Sequence, residues 1–403
     1  MSKYKIGLFG FGCVGQGLYK TLAENSLDAE IVKVCVKNKN KQRSIDNDRI
    51  TYNPSDILND DQINIVVELI DDPQAALDIV RKALKSRKAV VTANKKMVAE
   101  NLDELIALQK EYETPLLYEG AVCGSIPIIR NLEDYYASEH ISEIKGIFNG
   151  SSNYILTKLF QEGKSYEEAL GEAQANGFAE SDPTLDVGGF DPKFKLSIIL
   201  QHAFGLRLHP DNIFNWGIQN ITDSDIAFAR ERNLKIKLLA KAYYNGDSLS
   251  AVVAPHFIDS QNPLYHVENE FNCVLINGKF ASNQTLIGKG AGSLPTGLAV
   301  LSDVVALTQG YAYRYRSSDH KVDTSELVEV YLSAKDIDAI NWTAFDTISE
   351  KYVGNDYGYV IGKVALSELS SLLSNGSPDT NLVFTSGSQK EVEIPSLTYS
   401  YAS

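Results

Sequence analysis

Along the first 130 residues, short apolar runs alternate with stretches of helical period. Residues 4–9, 31–36, 64–70, 88–92 and 115–119 read as strands. Between them Val14, Leu18 and Leu22 recur at i, i+4 and i+8, and Leu102, Leu105, Ile106 and Gln109 mark a second helical face. Strand–helix alternation predicts a parallel sheet with right-handed crossovers and helices on both faces. The run Ile65-Val66-Val67 is continuous rather than alternating, as in strands buried on both sides. The expected class is α/β, with a Rossmann-type doubly wound parallel sheet over residues 1–130. Near the other end, 327–333 reads as a strand, 342–352 as a helix, and 358–366 as a strand leading into a helix. Residues 311–403 are therefore expected to form a small α/β module, with 386–389 a loop and 399–403 a tail.

Composition narrows the partners. A chain of 403 residues is long enough for two or three domains with cores of their own. Its formal net charge of −14 repels phosphate polymers and anionic lipid, which argues against nucleic acid and membrane as partners. No apolar run approaches the ~18–20 residues of a membrane span. The apolar N-terminus is broken by Gly7, Gly10, Gly12 and Gly15 and lacks a small-residue cleavage pattern, unlike a secretory signal. Cys13, Cys35, Cys123 and Cys273 are scattered without CxxC spacing, which fits a reducing cytoplasm.

The first strand runs into Gly10-Phe11-Gly12-Cys13-Val14-Gly15, a G-x-G-x-x-G that opens a helix. In a βαβ unit its glycines serve the tight turn, close approach to a pyrophosphate, and helix–strand packing. The helix N-terminus offers free N–H groups to the phosphates. An NAD site would place an acid near the end of the second strand. Here Lys37, Lys39, Lys41 and Arg43 precede the first acid, Asp46. Cations there favour a 2′-phosphate, so NADP is expected over NAD; a solvated basic loop is the other reading.

Further motifs appear in order: Val90-Val91-Thr92-Ala93-Asn94-Lys95, residues 118–127 around Glu119, residues 146–157 around Gly150-Ser151, residues 177–186 from Gly177 to Asp186, and 288–296 with Gly290 and Gly292. Over residues 4–310 the chain resembles the homoserine dehydrogenases. That resemblance implies an oxidoreductase of the aspartate pathway, feeding threonine and methionine biosynthesis. It interconverts L-aspartate 4-semialdehyde and L-homoserine with NAD(P). It also implies an α+β substrate-binding and dimerisation domain over 131–310, with the chain returning toward the nucleotide domain near 288–310. The homodimer or higher homo-oligomer expected is implied in the same way. Many members carry a C-terminal regulatory ACT domain. The Pro-Gly turn of that domain is missing at 334–338, so 311–403 is at most a degenerate version and threonine feedback does not carry over.

Reduction of an aldehyde needs a hydride and a proton for the developing alkoxide. Asp191 and Lys195 are spaced i, i+4, and Pro192 suits a first helical turn, which sets Asp191 near an N-cap. Spacing alone leaves an exposed ion pair as the alternative. The resemblance implies that Lys195 donates the proton, Asp191 binds substrate and orients it, and Lys95 lies between nicotinamide and substrate. It assigns the substrate ammonium to Glu180 and Asp186, and the loop bounding the substrate to Gly150 and Ser151. Cofactor contacts fall to residues 10–15, Lys37, Lys39, Thr92, Lys95, Gly290 and Gly292. A sodium-like cation is implied at the backbone carbonyls of Glu119, Val122, Gly124 and Ile126, where a tight turn without an ion is the alternative. Asp71 and Asp72 stand where the family usually has glycines, on the nicotinamide side. Two further readings stay open at this level: a catalytically inactive dinucleotide-binding sensor or partner subunit, and a reductase of another small aldehyde.

Overall fold

The computed structural model describes residues 3–245, 248–337, 340–374, 376–385 and 400–401. The chain opens with β1 (Tyr4–Phe9), β2 (Ala29–Cys35), β3 (Ile50–Thr51), β4 (Ile65–Glu68), β5 (Ala89–Thr92) and β6 (Leu116–Leu117). These lie in the order β3-β2-β1-β4-β5-β6 and every neighbouring pair is parallel. The doubly wound sheet expected from the apolar runs is present, with β1 as expected, the other strand ends shifted by at most two residues, and β3 added at one edge. Its connections are α1 (Cys13–Ala23), the single turn α2 (Ser55–Leu58), α3 (Pro73–Lys85), α4 (Lys95–Glu100) and α5 (Leu102–Tyr112). Strand order reverses between β1 and β4, and a crevice opens at the carboxyl ends of such strands.

After α6 (Ile128–Glu133), β7 (Ile141–Ile147) begins a second sheet. The helices α7 (Gly150–Glu162), α8 (Tyr166–Ala175), α9 (Thr184–Val187) and α10 (Phe190–Phe204) follow, then β8 (Phe214–Asn215) and α11 (Asp223–Glu231). The long antiparallel strands β9 (Lys235–Asn245), β10 (Ser248–Ile258), β11 (Phe271–Gly278) and β12 (Ser282–Lys289) complete its first half. In α10, 14 of 15 residues are buried, so its polar side chains must find partners inside the protein or face a cavity.

Helix α12 (Ser293–Thr308) carries the chain back to the six-stranded parallel sheet and packs on α1. The approach depends on glycine. A Cβ on Gly17 would lie 1.8 Å from the Ser293 carbonyl oxygen, and one on Gly297 would lie 2.5 Å from the Gly17 carbonyl carbon.

The last stretch contains β13 (Arg316–Ser317), β14 (Lys321–Val322), β15 (Leu327–Ala334), β16 (Phe345–Val353), β17 (Gly358–Ala365), α13 (Leu369–Ser374), β18 (Asn381–Phe384) and β19 (Ser400–Tyr401). Strand β18 joins β10 and β15, so the second sheet runs unbroken to eleven strands through this stretch. The helix expected over 342–352 is not formed. A short turn at Trp342–Ala344 leads into β16, which pairs antiparallel with β17. Thr347, Ile348, Tyr352 and Val353 are β-branched or aromatic, and an open strand edge offers their backbone partners that a helix would have to supply itself. Residues 386–389 lie outside the described residues. Of the expected tail, only Ser400–Tyr401 is described, paired with Arg316–Ser317.

Candidate active site

A cleft of about 740 Å³ lies between the carboxyl ends of the parallel strands and the α7–α10 region. Its nucleotide side is formed at the end of β1. Gly10 has φ +89°, and a Cβ there would meet the Leu69 carbonyl oxygen at 2.5 Å. Gly15 would press the Gly10 carbonyl at 2.6 Å, whereas a Cβ on Gly12 would meet nothing within 4 Å. Gly12 thus leaves open space at the α1 N-terminus. No side chain caps that terminus and no acid occupies its first turn. An open, uncapped helix start fits a dinucleotide pyrophosphate. Cys13, Val14, Gly290 and Gly292 line the cleft. The Phe11 ring does not: it is packed inward, edge-on to Tyr19 at 5.8 Å, so only its backbone is available to a cofactor.

Thr92 is also withdrawn. Its hydroxyl donates to the Glu68 carboxylate at 2.6 Å and accepts from the Asn94 amide at 3.0 Å, with the residue fully buried. Burial pushes the Glu68 pKa up to about 7, against the Thr92 hydroxyl and the Ile70 amide. Lys37 and Lys39 sit on the surface after β2. Lys37 is 3.8 Å from Asp72, and the Lys39 ammonium lies 5.1 Å from the Tyr52 ring centroid. Asp72 is turned away from the cleft to cap α3, accepting from the Gln74 and Ala75 amides at 3.1 and 3.0 Å. Asp71 alone of the acid pair lines the cleft.

The cleft's other wall is built on α10. Asp191 occupies the first turn, but the N-cap is Gly189 and no side chain caps the helix. The capping role expected of Asp191 is absent because its carboxylate is engaged by cations. It lies 2.7 Å from the Lys195 ammonium and 2.7 Å from the Lys95 ammonium. Burial alone would raise the Asp191 pKa, yet the two ammoniums and the Asn149 amide hold it well below the usual carboxylate range. The same contact raises the Lys95 pKa against desolvation. The Lys195 ammonium also donates to the Phe148 carbonyl at 2.6 Å. Two of its three protons are therefore engaged, and it faces the cleft with the third.

Asn149 was not singled out by sequence reasoning. Its side-chain oxygen caps α7 through the Ser152 amide, while its side-chain nitrogen donates to Asp186 at 2.7 Å and Asp191 at 3.0 Å. The N-cap role is the readable signal in Asn149-Gly150-Ser151; the bridge between carboxylates appears only on folding. Burial and the charge of Asp191 raise the Asp186 pKa. Gly150 approaches the Glu270 carbonyl so closely that a Cβ would lie 2.5 Å from it. The Ser151 hydroxyl donates to the Phe178 carbonyl at 2.5 Å, fixing the 176–183 loop to α7. On that loop Glu180 is exposed to the cleft, with no cation within 4.0 Å among the described residues.

The segment implied to hold a cation is a tight, oxygen-lined turn. Cys123 and Gly124 are consecutive left-handed residues with φ +54° and +57°. A Cβ on Gly124 would strike the Gly290 backbone at 2.5 Å, and the Ser125 amide donates to the Lys289 carbonyl at 3.0 Å. The Glu119 carboxylate accepts from the Ile129 and Arg130 amides at 2.8 and 2.9 Å, so it is tied to the start of α6 while the backbone oxygen is the atom named for an ion. That oxygen accepts from the Val122 amide at 3.1 Å, and the Ile126 oxygen accepts from Ile128 at 2.9 Å. A carbonyl has two lone pairs, so each keeps one for a hard cation.

Comparisons with known proteins show what the whole chain is similar to. The family profile "Homoserine dehydrogenase, NAD binding domain" matches residues 10–119, and the profile "Homoserine dehydrogenase" matches residues 127–305. A homoserine dehydrogenase of Bacillus subtilis (strain 168) is 37% identical over 317 residues, covering 76% of this chain and 73% of the relative. A homoserine dehydrogenase from Thiobacillus denitrificans superposes with a TM-score of 0.82 at 27% identity, covering 95% of this chain and 98% of that one. A hyperthermophilic archaeal homoserine dehydrogenase in complex with NADPH matches at 0.67 and 26% identity, covering 77% and 99%.

Proposed function

We propose a division of labour among the cleft residues from the premise that this chain belongs to the homoserine dehydrogenase family. The protein is an oxidoreductase that interconverts L-aspartate 4-semialdehyde and L-homoserine with a nicotinamide dinucleotide. The bound nicotinamide supplies or accepts the hydride. Lys195 gives its unengaged proton to the oxygen that becomes the homoserine hydroxyl, and takes it back in the reverse direction. Asp191 stays ionised and fixes both lysines. Lys95 positions the aldehyde and offsets charge on its oxygen. Glu180 and Asp186 receive the substrate ammonium, Gly150 and Ser151 bound it, and Gly10, Gly12 and Gly15 with Cys13 and Val14 shape the cofactor side.

The observation that carries this reading is the Lys195 ammonium, held by Asp191 and the Phe148 carbonyl with one proton free toward the cleft. Lys195→Met should lower turnover by orders of magnitude with cofactor affinity nearly unchanged. Near-normal turnover in that variant refutes the assignment.

Finer readings go with it. NADP is the preferred dinucleotide, supported by Lys37, Lys39 and Arg43 after β2 and by the NADPH bound to the archaeal relative; a lower KM for NADH than for NADPH would reject it. A sodium-like cation sits at the carbonyls of Glu119, Val122, Gly124 and Ile126, and full activity with only tetramethylammonium present would remove it. The protein works in the cytoplasm, a reading supported by its free thiols, as a homodimer. Its parts are a nucleotide-binding domain to about residue 130, a substrate and dimerisation domain to about 310, and a C-terminal module.

A further inference from the structure

A second cavity, of about 300 Å³, lies behind α10 and shares no lining residue with the active-site cleft. At 100° per residue, Lys193 points some 200° around the helix from Asp191, so α10 presents one lysine to each cavity. Lys193 is only 7% exposed and lines the second cavity. Among the described residues its ammonium has no carboxylate within 4.0 Å and donates no hydrogen bond; it lies over the Phe190 ring, 4.9 Å from the centroid. Burial lowers its pKa, with Asp211 and Glu100 opposing from a distance. The ammonium is not fully enclosed: it opens onto the cavity, where its three donors are offered to whatever occupies the space.

The rest of the lining restricts what that is. Thr324, Ser367 and Ser370 bring hydroxyls, while Ile213, Val322 and Leu366 form apolar wall. Asp211 and Asp323 are also present, so the ionisable lining residues sum to a net negative charge. That balance opposes a dianion such as phosphate about twice as strongly as a monoanion, whose single charge the one ammonium can match at contact distance. Water alone would solvate the ammonium but would also wet the apolar wall. We propose that this cavity is a binding site for a small aliphatic monocarboxylate, whose carboxylate pairs with Lys193 and accepts from the hydroxyls while its short chain covers the apolar wall.

The test is calorimetric titration of sodium propionate into the full chain at constant ionic strength, with inorganic phosphate in parallel. One propionate per chain is expected, with a dissociation constant on the order of 1 mM. Lys193→Met should weaken it at least tenfold without lowering the melting temperature, since the ammonium makes no hydrogen bond or ion pair to lose among the described residues and Met keeps the apolar stem. Ser370→Phe, which fills the cavity from the exposed face of α13, should do the same. Lys195→Met should leave binding within twofold. No propionate binding to the parent chain overturns the proposal. So does binding untouched by both cavity variants, binding abolished by Lys195→Met, or phosphate binding as tightly. None of these outcomes bears on the proton role of Lys195, which is read from turnover.

Discussion

Asn149 illustrates how much a single amide can arrange. Asp186 and Asp191 approach each other beside two lysines, and the Asn149 nitrogen donates to both carboxylates at once. A hydrogen bond to a buried charge contributes about 1.5–3 kcal/mol. Asn149→Ala should therefore cost roughly 10–100-fold in kcat/KM, with KM for homoserine rising as Asp186 loses its partner. Unchanged steady-state constants would show the bridge to be incidental. Glu68 gives a residue-scale prediction of another kind. Its folded-state pKa is about 7 against an ordinary 4.5, so the folded protein holds this proton more tightly than the unfolded chain. The associated stability is fully present below the ordinary value and is lost as pH rises through the folded one. The melting temperature of the cofactor-free chain should fall between about pH 5 and about pH 8, and Glu68→Gln should flatten that slope. A slope identical in the variant would assign the effect to other groups. The spacing of Asp191 and Lys195 was legible in the sequence. Asn149 and Glu68 were not, because their roles arise from residues distant in the chain.

At the scale of elements, the glycine-rich turn and α12 separate binding from packing. A Cβ on Gly12 meets nothing, whereas one on Gly297 strikes the backbone of α1 at 2.5 Å. Gly12→Ala should keep the melting temperature and weaken dinucleotide binding. Gly297→Ala should lower the melting temperature by several degrees, because two helices must part. Thermal melts with and without NADPH separate the two effects, and equal melting temperatures without cofactor would contradict the packing assignment. The parallel strands were readable because each is a short apolar run bounded by turn residues. The stretch 342–352 misread for the opposite reason. As an edge strand, β16 is mostly exposed, so it carries no buried alternation, and its pairing with β17 outweighs local periodicity. Asp72 is a related case: two acids on the nicotinamide side need partners or a turned-away conformation, and with Pro73 at the first helical position Asp72 takes the second course as the cap of α3.

For the whole molecule, the second sheet matters most. It reaches from β12 at one edge to β16 at the other, so the stretch after residue 310 is hydrogen-bonded to the strands that carry the substrate region. Local patterns gave no sign of this, since the joining pair, β10 and β18, lies more than a hundred residues apart in the chain. The edge at β12, with no further strand beside it among the described residues, also bears on assembly. Ile287 is 59% exposed and Phe280, at the hairpin tip, 71%. An edge strand with exposed apolar side chains is an association surface unless it is covered, and a chain with net charge −14 needs such a patch to overcome self-repulsion. If the protein is a homodimer through this edge, replacing Phe280 and Ile287 together by Glu should convert it to a monomer in sedimentation equilibrium. Raising the salt concentration should strengthen the parent dimer, because screening removes repulsion between like-charged copies while leaving apolar contact in place. A parent chain that sediments as a monomer at all salt concentrations, or a double variant that remains dimeric, would move the interface elsewhere.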